Sequence, residues 1–325
     1  MSPVVEVAAA VLLRAGGTQF LLAQRPSGKV YAGYWEFPGG KLEPGESACQ
    51  ALLRELREEL GVVVDQAWPW LWREFSYPHA DVRLRFFRID TWHGTIAPLE
   101  HCAFAWLDVG QPPQVEPILP ANQPILRALA LPPLYALTNA EENGVPAELA
   151  RLESALAEGL RLIQVRDKTL PPGQRRALAE AVMALAGRYA NARVLVNDDV
   201  QLALALGAHG VHFSSAQLWQ LSRRPDCPLV AASCHTAADL SRAAELELDF
   251  VVLGPLLPTA SHPTVAGIGW PAFARLVERS PLPVYALGGL RPTMLAEACR
   301  HGAHGIAALR GWTDRKSKRL NSSHL

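Results

Sequence analysis

A chain of 325 residues exceeds what one hydrophobic core usually organises, so length alone leads us to expect two domains. Its 49% apolar and 19% charged composition is that of an ordinary globular protein. Thirty-one basic residues balance 31 acidic ones, which leaves no overall positive field to hold a nucleic-acid polymer, while a free nucleotide or small anion stays open as a ligand. Five cysteines (Cys49, Cys102, Cys227, Cys234 and Cys299) are scattered and never spaced as CxxC. That pattern speaks against a disulfide framework and a zinc site, and for reduced thiols in a cytoplasm.

The opening run, residues 4–13, is apolar but short, carries Glu6 and returns quickly to Arg14 and Gly16-Gly17, so it is expected to be a first strand rather than a signal peptide or membrane span. Strands are also expected at residues 20–23 and 82–89, with one strong helix over residues 47–60. Pro112, Pro113, Pro117, Pro120 and Pro124 then crowd the chain, and Leu131-Pro132-Pro133 follows a short helical stretch, which places a boundary between domains at 1–131 and 132–312. Beyond it short apolar strands alternate with helical segments. The strands fall at residues 134–138, 160–165, 194–197, 210–213, 229–233, 250–254, 284–287 and 305–309. Eight strands in strict alternation favour a closed parallel (β/α)8 barrel over an open doubly wound sheet. Residues 313–325 lose apolar periodicity and turn basic and polar, as a disordered or foreign tail would.

The segment with the most chemistry is residues 39–62, GGKLEPGESACQALLRELREELGV. Ser47 and Gln50 are spaced as a capping box and Gly61 suits the left-handed position that ends a helix. At 3.6 residues per turn Glu55, Glu58 and Glu59 share one face, beside an apolar seam of Leu52, Leu53, Leu56 and Leu60. Like charges at that spacing repel by about a few tenths of a kcal/mol per exposed pair. Mg²⁺ or Mn²⁺, which prefer hard carboxylate oxygens, would neutralise both the cluster and a substrate diphosphate. Ala48 and Ala51 keep the preceding turns low, with room for phosphates. A solvated acidic face paired with Arg54 and Arg57 is the plainer alternative.

Gly40, Glu46, Arg54, Glu55, Leu56, Glu58, Glu59, Gly61 and Val62 fill every defined position of the Nudix box, and residues 1–131 resemble that hydrolase family. The resemblance implies an α/β/α sandwich with metal on Glu55, Glu58 and Glu59, and with Gly39 and Glu100 completing the ligand set. Gly40, Glu46 and Arg54 would support the loop and helix. Glu100, after Trp92 and Gly94, would act as a further ligand or base, against the reading of an exposed loop glutamate. The implied reaction is attack of water on a phosphorus of a nucleoside diphosphate linkage, releasing a nucleoside monophosphate and pyrophosphate.

The flanks resemble the mutator-type (MutT) 8-oxo-dGTP diphosphatases, through Gln24-Arg25, through Trp35-Glu36-Phe37-Pro38-Gly39-Gly40-Lys41 and through Pro120-Ala121-Asn122-Gln123-Pro124. In that resemblance Arg25 reaches a phosphate, Phe37 packs on a base and Asn122 pairs with the edge of an oxidised guanine. Asn122 taken by itself is as well placed to cap the helix that follows. A small-molecule nucleotide is thus the implied partner, with no nucleic-acid polymer and no membrane.

Residues 134–312 resemble thiamine phosphate synthase, in Gln164-Val165-Arg166-Asp167-Lys168, Val196-Asn197-Asp198-Asp199, Gly210-Val211-His212, Ser233-Cys234-His235-Thr236, Gly254-Pro255, Pro258-Thr259-Ala260-Ser261 and Ala286-Leu287-Gly288-Gly289. These stretches fall at the C-terminal ends of the expected strands, where barrels put their sites. Candidate ligand residues are Gln164, Arg166, Lys168, Asn197, Asp198, Ser233, Thr259, Ser261, Gly288 and Gly289. Two positions depart from the pattern: Gln217 stands where the synthases carry a metal-binding aspartate, and His262 where a phosphate-contacting lysine is usual. An active synthase, a barrel for another phosphorylated ligand and a regulatory module all stay open.

Overall fold

A computed structural model describes residues 4–258 and 266–312. The chain divides into two compact units, Met1–Leu131 with Glu278–Pro281, and Pro132–Val277 with Leu282–Leu325. The tail expected over residues 313–325 lies outside the described residues.

The first unit is built on β1 (Val5–Arg14), β2 (Gln19–Gln24), β3 (Trp35–Glu36), β4 (Gly39–Lys41), β5 (Trp68–Tyr77), β6 (Ala80–Ile89) and β7 (Ala103–Asp108). These form one sheet in the order β3-β2-β1-β6-β5, with β4 joined to β1 and β7 to β2. β1 organises it. Residues Val5 to Leu12 pair parallel with β6, Val7 to Ala9 pair antiparallel with β4, and the far end turns back on β2.

Alternation along β1 sends Ala8, Ala10 and Leu12 to one face, against Leu52, Leu56 and Leu60 of α1 (Ala48–Leu60). Ala9 and Val11 face the other way, with Phe20, Phe37 and Phe86 and with Ile125 and Ala128 of α2 (Gln123–Leu129). The result is an α/β/α sandwich. α1 starts at Ser47, which accepts from the Gln50 N–H while the Gln50 side chain reaches back to the Ser47 N–H, and it stops at Gly61 with φ of 69°.

The second unit is a closed barrel of eight parallel strands. In chain order it runs β8 (Leu134–Leu137), α3 (Ala140–Asn143), α4 (Val145–Ala157), β9 (Leu162–Val165), α5 (Pro172–Ala186), β10 (Arg193–Asn197), α6 (Val200–Ala205), β11 (Gly210–Phe213), α7 (Ser215–Leu218), β12 (Leu229–Cys234), α8 (Ala237–Glu245), β13 (Phe250–Leu253), α9 (Gly269–Val277), β14 (Val284–Leu287), α10 (Leu295–Arg300) and β15 (Gly305–Ala308). Each strand alternates between two layers. Ile163, Val165, Val194, Val196 and Val251 point outward into the layer packed under the helices. Tyr135, Phe250 and Tyr285 meet inside the barrel, with ring centroids 5.1–5.7 Å apart.

Among the described residues no helix is long and apolar enough to cross a membrane. All five cysteines are free thiols.

Candidate functional site

The carboxylates of α1 share a helix surface but not an environment. Side-chain exposure is 17% for Glu55, 50% for Glu58 and 5% for Glu59. Glu59 turns into the unit, where its Oε2 accepts the Gly39 N–H at 3.0 Å. Burial, followed by the charges of Glu55 and Glu36, pushes the Glu59 carboxyl up to about 8 in spite of that hydrogen bond. Glu55 lies against Gly40, and its carboxyl carbon is 2.1 Å from where a Cβ on that glycine would stand.

Arg54 gathers the rest. It donates to Glu46 at 3.1 Å, to Glu55 at 2.8 Å, to Glu58 at 3.2 Å and to the Lys41 carbonyl at 3.1 Å. Glu46 in turn accepts the Glu43 N–H, which ties the loop ahead of the helix to the helix itself. Glu55 and Glu58 pair with Arg54 while Glu59 is held by the Gly39 N–H, and among the described residues no three His, Cys, Asp or Glu side chains are gathered to hold a metal. The donor set still fits a hard divalent ion, being three carboxylates of which one is buried and raised by that burial. Ala51 is corrected: it is wholly buried in the core and leaves no room for phosphates.

Glu100 is exposed and makes no hydrogen bond or ion pair to a described residue. The neighbouring His101, singled out by no spacing or motif, is the residue that faces Glu59. Its Nε2 lies 3.9 Å from Glu59 Oε1, with both side chains nearly inaccessible, and its Nδ1 has no partner. Burial, with the charges of Lys29 and Arg25, holds its ring down at about 4.

The flanking residues stand differently from their expected roles. Arg25 is not free to reach a phosphate, because its Nη1 lies 2.6 Å from both Glu36 oxygens and its Nε donates to the Val30 carbonyl. Phe37 offers no open ring face to a base: it is 3% exposed and packs between Phe20 and Phe86 at 6.0 and 5.9 Å. Asn122 does not cap α2. Its backbone is already helical, its side chain makes no capping bond, it is 4% exposed, and its Nδ2 has no hydrogen-bond partner. Tyr77, pushed up to about 12 by burial, lies near the Ala121 backbone beside Asn122. The Tyr77 ring meets Tyr31 and His79 at 5.4 and 5.5 Å.

In the barrel, polar side chains replace apolar ones toward the C-terminal ends of the strands. Gln164 donates to Asn197 at 2.9 Å, and His212 joins Tyr135 Oη at 3.2 Å to Ser233 Oγ at 2.9 Å. Burial first, then the charges of Lys168 and Arg166, depress His212 to about 3, so it is neutral across the physiological range. Asp198 and Asp167 are spent on the fold: Asp198 accepts from Asn197 and the Ser214 N–H, and Asp167 from Thr138 and the Glu141 N–H. Gly288 and Gly289, with φ of 111° and 68°, lie so close to Pro255, Leu256 and Leu257 that a Cβ on either would stand 2.8 Å from a neighbouring atom. Gln217 sits exposed in the single turn of α7. Thr259, Ser261 and His262 lie outside the described residues.

Residues 4–129 match the family described as NUDIX domain, and residues 134–311 the family described as thiamine monophosphate synthase. Over 124 residues the chain is 40% identical to the CTP pyrophosphohydrolase of Escherichia coli, which covers 38% of this chain and 90% of that one. Over 197 residues it is 34% identical to the thiamine-phosphate synthase of Thiobacillus denitrificans, covering 59% of this chain and 92% of that one. A solution structure of the E. coli ORF135 protein aligns at 39% identity with a TM-score of 0.34, over 38% of this chain and 87% of that one.

Proposed function

Since the chain belongs to the thiamine monophosphate synthase family through residues 134–311 and carries a NUDIX domain over residues 4–129, we propose that its first unit is a pyrophosphohydrolase for oxidised purine nucleoside triphosphates, 8-oxo-dGTP foremost. Water and the triphosphate give the nucleoside monophosphate and pyrophosphate. Hydrolysis of this kind removes a miscoding nucleotide from the pool.

The observation that carries the substrate is Asn122. A buried amide without a partner costs about 1–3 kcal/mol unless something completes it. Its NH₂ donates and its oxygen accepts, so it matches an edge that offers one acceptor and one donor side by side. Oxidised guanine presents that pair as O6 and N7–H. Unmodified guanine presents two acceptors, which leaves the amide oxygen facing a lone pair. Tyr77 positions the Ala121-Asn122 backbone, and Tyr31 and His79 extend the ring surface.

A divalent ion, Mg²⁺ or Mn²⁺, supplies charge neutralisation and an activated water when bound. Glu55, Glu58 and Glu59 would hold it. The chain's own residues do the positioning: the Gly39 N–H fixes Glu59, Gly40 admits Glu55, and Glu46 anchors Arg54 to the loop.

The E. coli relative is named for CTP, and cytosine also offers a donor beside an acceptor, so CTP is the second reading. Initial rates on 8-oxo-dGTP, dGTP, CTP, thiamine diphosphate and ADP-ribose with Mg²⁺ decide between them. We expect the highest kcat/KM on 8-oxo-dGTP. A preference for CTP would overturn the purine reading, and no turnover of any of the five would overturn the hydrolase. For the barrel we read a site for a phosphorylated small ligand, on the strength of Arg166 and Lys168; rescue of a thiamine auxotroph lacking the synthase would instead make it an active synthase.

A further inference from the structure

Glu59 is approached from three directions, and one of them lacks a hydrogen bond. Its Oε2 accepts the Gly39 N–H at 3.0 Å, and its backbone carbonyl accepts the Leu99 N–H at 2.9 Å. Its Oε1 faces the His101 imidazole, with Nε2 at 3.9 Å and both side chains more than nine-tenths buried. That separation is too long for an N–H···O bond, and a shortening of about 1 Å would make one.

The backbone brings His101 to this place and holds it there. The loop after β6 runs back across the C-terminal end of α1, where the Ala97 and Leu99 N–H groups satisfy the carbonyls of Leu60 and Glu59 at 3.1 and 2.9 Å. Farther on, the Cys102 N–H donates to the Gln24 carbonyl at 3.1 Å, and the chain enters β7 beside β2. His101 is thus fixed between an anchor on the helix that carries Glu59 and an anchor on the sheet. Its Nδ1 is buried without a partner, and a buried lone pair left alone costs less than a buried N–H left alone. A lone pair on Nε2 would in turn be repelled by an ionised carboxylate oxygen. On both counts the hydrogen belongs on Nε2, aimed at Glu59.

We propose that His101 is a positioning residue for hydrolysis: its Nε2–H closes on Glu59 Oε1 and, with the Gly39 N–H on Oε2, sets the plane and direction of that carboxylate. This rests on reading the first unit as a hydrolase whose cation is held by Glu55, Glu58 and Glu59. An ionised carboxylate has about four lone-pair sites, so one N–H donor on each oxygen leaves a site on each for the cation. Glu55 and Glu58 are already directed by Arg54, at 2.8 and 3.2 Å. His101 and Gly39 do for the third carboxylate what Arg54 does for the other two.

Three variants test it. His101→Phe keeps a ring and loses the N–H, His101→Gln loses the ring and keeps an N–H, and His101→Met has the reach of Gln without its donor. A side chain that only fills space makes Phe the best substitute; one that directs Glu59 makes Gln the best. Mn²⁺ titrated alone into the full chain, followed by loss of the free ion's paramagnetic resonance signal, reads the carboxylates without any nucleotide. We expect its Kd to rise roughly tenfold or more in His101→Phe and His101→Met, and to stay within about threefold of the parent in His101→Gln. On whichever of the five substrates the parent turns over best, kcat should fall by about the same factor in Phe and Met with KM within about twofold, and Gln should recover most of it. Mn²⁺ affinity equal in the parent and in Phe or Met, or weaker in Gln than in either, would overturn the positioning role and leave the hydrolase reading standing. A parent that binds no Mn²⁺ would overturn the reading of the three carboxylates, and the role of His101 with it.

Discussion

At Gly40 the missing side chain is filled by another residue's carboxylate. A Cβ there would stand 2.1 Å from the Glu55 carboxyl, which is the free end of a flexible side chain and can swing away without disturbing the sheet. Gly40→Ala should therefore fold normally and lose function: we expect kcat to fall at least tenfold with the melting temperature within about 3 °C, measured by single-substrate kinetics and calorimetry. Asn122 is the opposite case, a buried amide that waits for a partner. Asn122→Ala should cut the preference for 8-oxo-dGTP over dGTP by roughly 5- to 150-fold, the equivalent of about 1–3 kcal/mol, whereas Glu58→Gln should abolish turnover of both. Equal losses on the two substrates in the Asn122 variant would remove its base-reading role. His101 was not legible in sequence, because its partner Glu59 is distant in the chain and a lone histidine announces nothing by spacing; only the fold brings the imidazole and the carboxylate to 3.9 Å.

Among the elements, α1 was readable almost atom by atom, since both caps and the leucine seam are local features of one run. The barrel strands were readable because each is a short, mostly apolar run bounded by turn residues, and β11 and β14 match the expected spans to the residue. β5 was not. Its residues WPWLWREFSY include Pro69, half of them are partly exposed, and the strand sits at the end of the sheet path with a register irregularity between Pro69 and Leu71, so neither alternation nor apolarity marks it. β3 and β4 are two and three residues long and exist only through pairing with β2 and β1. In the barrel, α4 is pinned at its start by Glu148, which is wholly buried and accepts from the Asn139 N–H, from Asn143 and from Arg151. Glu148→Ala would leave the Arg151 guanidinium buried and uncompensated. We expect a loss of about 3–5 kcal/mol, seen as a lower urea midpoint for the barrel transition.

For the molecule as a whole, acid weakens the second unit through His212. Folded His212 takes a proton only near pH 3, while the unfolded chain takes one near 6.5. Between those values the unfolded state binds more protons, so stability is full above about pH 6.5, falls as pH drops through that window and levels off near 3. The barrel's urea midpoint should decline from pH 7.5 to 5, and His212→Asn should flatten that slope; parallel slopes in the two proteins would assign the acid sensitivity elsewhere. Arg54 gives the first unit a different kind of independence. By pairing with Glu46, Glu55 and Glu58 from within the chain, it lets the acidic helix reach its native shape in a medium stripped of divalent ions. Folding and competence are thereby uncoupled: dialysis against EDTA should silence hydrolysis completely while shifting the melting temperature by no more than about 3 °C, and the protein should be recoverable by adding Mg²⁺ without any refolding step.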